Sequence, residues 1–216
     1  MEISILISNK NHPIYLKLLG WISEKKEAHD ISLFTSKDKL EGGDLLFLIS
    51  CHEIIDSNIR RKYQSTLVIH ASDLPEGRGW SPHVWQILEG RNKVTVSLLE
   101  AVDGVDSGAI WAKKTFVLSG SELADEINLK LFDVELKLLD FAVDNFLTVK
   151  PIQQDESEAT YYPKRTPDDS RLDPNKTIAE QFDALRVADQ ARYPTFFTYR
   201  GCSYKIKLEK IDKVNE

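Results

Sequence analysis

The sequence predicts an α/β fold, an open parallel sheet covered by helices, with a small C-terminal appendage. Three features predict it. Residues 2–7, EISILI, form a β-branched run that leads through a polar loop into Tyr15, Leu18, Leu19 and Ile22 at helical spacing, the first strand–loop–helix unit of such a sheet. Further apolar runs at residues 44–50 and 64–69 each end at polar residues. Leu123, Ile127, Leu131, Val134, Leu138 and Phe141 then recur at steps of three and four, a long amphipathic helix that would cover one face.

At 216 residues, 42% hydrophobic and 29% charged, the chain has the composition of a globular protein with one large domain or one domain plus a modest extension. A formal charge of -6 and a pI near 5.5 give no electrostatic reason to expect a nucleic-acid partner. Cys51 and Cys202 lie far apart without metal-ligand spacing, so neither a disulfide framework nor a metal site is expected. The N-terminal run is short, carries Glu2 and lacks a basic region, and no window reaches the length of a membrane span. A cytoplasmic protein without a membrane partner is the expectation.

In order, the loop SNKNHP at residues 8–13 contains no glycine to bring backbone N–H groups against a phosphate. Asn9 and Asn11 are its candidate hydrogen-bonding side chains, and a solvated loop is an equal reading. Residues 29–35 and 44–50 read as the second and third strands, and residues 53–60 as a short helical piece. The fourth strand ends directly at His70. In an open parallel sheet ligands gather at the carboxyl ends of strands, which singles out His52 and His70. A helix is expected from Pro82 to Glu89, stopped at Gly90. Two strands at residues 93–101 and 109–118 flank a turn carrying Asp103 and Asp106. The pairs Ser119/Glu122 and Thr177/Glu180 have capping-box spacing and are expected to open helices, the second running to about residue 189. Residues 150–176 read as loop, and the runs around Arg200-Gly201 as a hairpin whose exposed edge offers a surface for a homodimer.

HASDLPEGRGWSP and VDSGAI, beginning at His70 and Val105, resemble the histidine loop and the catalytic-aspartate motif of the folate-dependent formyltransferases, in the family's order and at a matching separation. The likeness is strongest over residues 45–118. RTPDDS at residues 165–170 resembles the downstream part of family members that act on nucleotide-linked amino sugars. The resemblance implies a Rossmann-like open sheet of the formyltransferase type, with a catalytic domain at 1–150 and a helix-plus-hairpin lobe at 151–216. It also implies 10-formyltetrahydrofolate as co-substrate and attack of an amine on its formyl carbon. His70 would contact the formyl oxygen or relay a proton, and Asp106 would orient His70 and help accept the proton. The pterin would lie against Cys51, His52, Glu53 and Ile55 and against Val102, Asp103 and Val105. Substrate contacts fall to Asn9, Asn11, Ser72, Arg78, Trp80, Tyr161, Tyr162, Lys164 and Arg165, with the tyrosines able to stack on a base and Lys164 or Arg165 to hold a pyrophosphate.

The sequence departs from the family pattern at Val68, where the motif has an asparagine two residues before its histidine. An apolar side chain donates no hydrogen bond to an oxyanion. Ser50, His52 and Ser72 are the candidate replacements. A nucleotide-linked amino sugar is the expected acceptor, in a reaction feeding surface polysaccharide or glycan synthesis. The alternatives are a non-catalytic binding relic of the fold and a transferase for another small amine such as glycinamide ribonucleotide.

Overall fold

A computed structural model describes residues 1–211; the last five residues of the expected C-terminal lobe lie outside it. One six-stranded sheet organises the molecule, in the order β2-β1-β3-β4-β6-β7. Strands β1 (Glu2–Leu6), β2 (Asp30–Phe34), β3 (Gly43–Leu48) and β4 (Tyr63–His70) are mutually parallel. The next strand in the sheet, β6 (Lys93–Glu100), runs antiparallel to β4 and pairs with β7 (Ile110–Val117) as an antiparallel extension. The sheet is thus mixed, with its parallel part where the first βαβ units were expected.

Alternation along the strands divides the core between the two faces. Ile3, Ile5, Ile7, Leu45, Phe47 and Ile49 meet Leu18 and Trp21 of α1 (Tyr15–Lys25) and the apolar stripe of α4 (Ala124–Asn145). Leu6, Leu46, Leu48 and Tyr63 form a smaller cluster on the opposite face, with Val68 and Ala101 packed against it. The shorter helices are α2 (Ser57–Arg60), α3 (Pro82–Leu88) and α5 (Phe182–Arg186). No helix of the described residues is long and apolar enough to cross a membrane.

Both predicted capping pairs form, yet neither opens its helix as expected. Glu122 accepts the backbone N–H groups of Ser119 and Gly120 and closes a tight loop, in which Gly120 takes a φ of 94°. Helix α4 starts two residues later, where Glu126 caps the N–H of Leu123. Thr177 and Glu180 make their reciprocal bonds, but a 3-10 turn precedes α5, which ends at Arg186, whose buried side chain donates to Asp183 and Asn92. The hairpin β9 (Thr195–Tyr199) and β10 (Cys202–Ile206) turns through Arg200 and Gly201, both at positive φ as a two-residue turn of this hand requires. Phe197 stacks on Tyr204 and Phe196 lies under Arg171, so both serve packing within this part of the chain.

Residues 150–163 form part of the wall behind the strand ends. Ile152 bridges to Ile110, and the two-residue strand β8 (Tyr161–Tyr162) pairs in parallel with β5 (Arg78–Gly79), just after the histidine loop.

One buried group stands apart from this packing. Glu135 lies in the apolar stripe of α4 at 9% exposure, and burial alone raises its carboxyl from 4.5 to about 8. Between those values the folded state holds a proton that the unfolded chain has lost, so this residue makes stability fall as pH rises. Replacing Glu135 by glutamine, which does not titrate, should therefore leave stability little changed near pH 4.5 and raise it progressively toward pH 8, with an upper limit of about 4 kcal/mol. Denaturant unfolding of both proteins across this range checks it; a gain independent of pH would contradict it.

Candidate functional site

A cavity of about 670 Å³ wraps over the carboxyl ends of β3 and β4. Because strand residues alternate, it has two arms. One lies on the face of the smaller cluster, between residues 50–56 and 101–106. The other lies on the α4 face, among His12, His83, Asn128, Leu131, Phe132, Glu135, Val187, Asp189, Arg192 and Tyr193. His70, the last residue of β4, stands where the arms meet.

Asp106 approaches His70 across the sheet end, with Oδ2 3.4 Å from His70 Nδ1. The same oxygen accepts the Gly79 N–H at 2.9 Å, and His70 Nε2 donates to the Gly77 carbonyl at 2.8 Å. Both ring nitrogens thus face oxygen acceptors, an arrangement fully satisfied only when both carry a proton. In this orientation Nε2 is committed to the backbone, which leaves the Nδ1–Asp106 edge for proton transfer. Asp106 sits at a φ of 50°, a sparsely populated conformation for a non-glycine residue. The small residue two positions on is required: a Cβ at Gly108 would run into the Glu100 carbonyl.

This turn is held from behind. Gln154 donates to the carbonyls of Asp106 at 2.8 Å and Gly108 at 2.7 Å, while its own oxygen accepts from Arg78. Arg78, only 1% exposed, also binds Glu156 through both terminal nitrogens and the Tyr161 hydroxyl. A second brace joins the two loops of the first arm: Arg60 donates to the Ile55 carbonyl and to Asp103.

All seven positions expected to contact the pterin line the cavity: Cys51, His52, Glu53, Ile55, Val102, Asp103 and Val105. Burial raises the Cys51 thiol above its ordinary value. His52 stacks on Trp80 with ring centres 5.9 Å apart, and Lys164 lies over the same indole at 5.0 Å.

The expected substrate contacts divide. Trp80 and Arg165 line the cavity, and the other seven do not. Asn9 and Asn11 are exposed and bond each other in a local turn, because the Asn9 side chain accepts the Asn11 N–H. Ser72 is buried beneath the loop, away from the cavity. The Arg78 and Tyr161 side chains are spent on the brace. Tyr162 stacks on half-buried Trp85 and donates to Glu89. Arg165 pairs with neither nearby aspartate through a hydrogen bond: it donates to Ser170 and lies over the Tyr193 ring, with its guanidinium pushed below its usual value by burial.

Sequence reasoning missed His12, His83 and Glu135. Burial first, then neighbouring positive groups, lowers both histidines to about 4, so they are neutral at pH 7. His12 Nδ1 faces the Ile14 N–H at 3.4 Å and therefore accepts, which puts the ring proton on Nε2, 3.3 Å from the Ser50 hydroxyl oxygen. Ser50 lies two residues beyond Leu48, which pairs with Val68, and it lines the same cavity as His70. Among the described residues, no group of three or more His, Cys, Asp or Glu side chains is arranged to hold a metal ion.

Comparison with known proteins bears on this arrangement. A methionyl-tRNA formyltransferase of Bacillus velezensis is 34% identical over 120 residues, covering 55% of this chain and 38% of the relative. One from Enterococcus faecalis is 33% identical over 141 residues, covering 64% and 44%. The chain thus spans about two fifths of the length of these curated relatives. Among solved structures, methionyl-tRNA formyltransferase from Clostridium thermocellum superposes with a TM-score of 0.82 at 22% identity, over 99% of this chain and 95% of that one. A sugar N-formyltransferase from Shewanella sp. gives 0.73 at 16%, over 98% and 99%. HypX from Aquifex aeolicus in complex with tetrahydrofolic acid gives 0.77 at 22%, over 93% and 36%. At these identities the structural likenesses establish the fold. The family model for formyl transferases matches residues 23–143, more than half of the sequence, and the chain belongs to that family.

Proposed function

We propose that the protein transfers the formyl group of 10-formyltetrahydrofolate to the primary amine of a nucleotide-linked amino-deoxy sugar. The observation that carries this reading is the His70–Asp106 pair, held at the junction of a two-armed cavity large enough for a folate head group and an acceptor. The amine nitrogen attacks the formyl carbon and generates a tetrahedral oxyanion; the bond to N10 of the folate then breaks. Overall, one proton leaves the amine and one reaches N10, and the His70–Asp106 edge lies ready to carry it.

The oxyanion needs a donor that Val68 does not provide. Ser50 fills that need. Its oxygen accepts from His12, so its own hydrogen remains free for the developing charge, and its backbone is held at a φ of 45°. Ser72 lies outside the cavity, and the His52 ring is stacked on Trp80, which leaves Ser50 the better placed of the three candidates.

The sugar acceptor is supported by the acidic net charge, which disfavours a polyanionic tRNA, and by neutral hydrogen-bonding side chains in the second arm. A methionyl-tRNA acceptor is the second reading, favoured by the identity of the sequence relatives. Assaying the protein with 10-formyltetrahydrofolate against nucleotide-linked 3- and 4-amino-6-deoxy sugars and against methionyl-tRNA separates the two. Turnover with a sugar, reduced at least about 100-fold in both His70→Ala and Asp106→Asn, is the expected result. Formylation of methionyl-tRNA alone would replace the sugar reading, and folate binding without transfer to any acceptor would make the protein a binding relic.

A second set of variants addresses Val68. Ser50→Ala should lower kcat by about 100-fold, whereas Val68→Asn should change the wild-type rate little and recover much of the loss when combined with Ser50→Ala. A large gain from Val68→Asn in the wild-type background would mean that the site lacks this donor.

A further inference from the structure

The second arm of the cavity holds polar groups that the transfer step leaves unused. Asn128, Leu131 and Glu135 lie at successive three- and four-residue steps along α4 and so present one ladder to the cavity. Across from them is His83 in the first turn of α3. The surrounding wall is apolar, formed by Ile87, Ile127, Phe132 and Val187. Glu135 is nine-tenths buried and makes no hydrogen bond or ion pair among the described residues; desolvation is the sole influence on its carboxyl. A buried polar group without a partner is costly, and an unpartnered one that faces a cavity is matched by what the cavity receives.

We infer that Asn128, Glu135 and His83 form a subsite for the hydroxyl groups of the acceptor's sugar ring, at the end away from its nucleotide. This rests on the amino-sugar reading and deepens it. The chemistry favours hydroxyls over the alternatives. A neutral carboxyl, a neutral imidazole and a carboxamide each both donate and accept, which is the capacity a hydroxyl group needs in a partner. An ammonium group would select an ionised carboxylate instead. A thioether or alkyl chain would leave the Glu135 carboxyl unsatisfied. Arg165 and Arg192 line the same arm and are the groups suited to a pyrophosphate, so the ring and its phosphates have separate partners.

The test is calorimetric titration of the full chain with UDP, dTDP and GDP and with amino-deoxy sugar derivatives of each. The wild type should bind one nucleotide-linked sugar about tenfold or more tightly than the matching nucleoside diphosphate. Glu135→Leu should reduce that preference to within about twofold while the nucleoside diphosphate affinity stays unchanged. Glu135→Gln, which keeps a donor and an acceptor, should hold the preference within about threefold of wild type. Unchanged nucleoside diphosphate binding verifies the fold of each variant. If Glu135→Leu keeps the full preference, the subsite is wrong while the amino-sugar reading stands. Equal loss in Glu135→Gln and Glu135→Leu would mean that an ionised carboxylate is needed, which overturns the hydroxyl assignment. If no nucleotide-linked sugar binds better than its nucleoside diphosphate, both the subsite and the acceptor reading fall.

Discussion

The site depends on one constraint: Asp106 must be held in a strained turn within reach of a histidine that lies 36 positions earlier in the chain. A turn with a non-glycine residue at positive φ does not hold this shape by itself. Here it is fixed from two sides. The Gly79 N–H holds the carboxylate, and Gln154 holds the backbone on either side of Ser107. Gln154 is in turn gripped by Arg78, whose buried guanidinium is neutralised by Glu156. Burying a guanidinium is expensive unless its donors are satisfied, and this one has partners for all three of its nitrogens. The histidine loop, the aspartate turn and residues 152–162 are therefore one mechanical unit.

The two arms of the cavity follow from where the sheet ends. Residues that alternate along β3 and β4 send Val68 and His70 toward one face and Ile69 and Ala71 toward the other, so a cavity over the strand ends meets both faces. The first arm is formed by two loops tied together by Arg60, and the second by the inner side of α4. Their chemistry differs. The first arm adjoins the Asp106 carboxylate. The second contains imidazoles and a carboxyl that burial keeps uncharged at neutral pH. A cavity with these two environments suits two different molecules meeting at His70.

Much of this was legible in the sequence. Apolar runs ending at polar residues located β3, β4 and the loops of the first arm, because strand periodicity and strand-end position are local properties. Arg78 and Tyr161 read in the sequence as substrate contacts, since nothing local reveals that an arginine in a Gly/Pro loop will find a glutamine 76 residues later. Asn9 and Asn11 likewise read as substrate contacts, although an Asn separated by one residue from the next readily closes its own turn. Glu135 carries a local signal of its own. It falls between Leu131 and Leu138 in the apolar stripe of α4, and a carboxylate at such a position is either buried at a cost or facing a cavity. His12 lay in the same loop as the two asparagines, and only its contact with Ser50 distinguishes it.

The most direct test of this account is the single-turnover rate of formyl transfer in Gln154→Ala, a residue that lies behind the Asp106 turn and whose side chain, among the described residues, bonds only to the backbone of that turn and to Arg78. If the brace holds Asp106 in place, the rate should fall toward that of Asp106→Asn while folate affinity is kept. A Gln154→Ala protein that transfers formyl groups at the wild-type rate would contradict it.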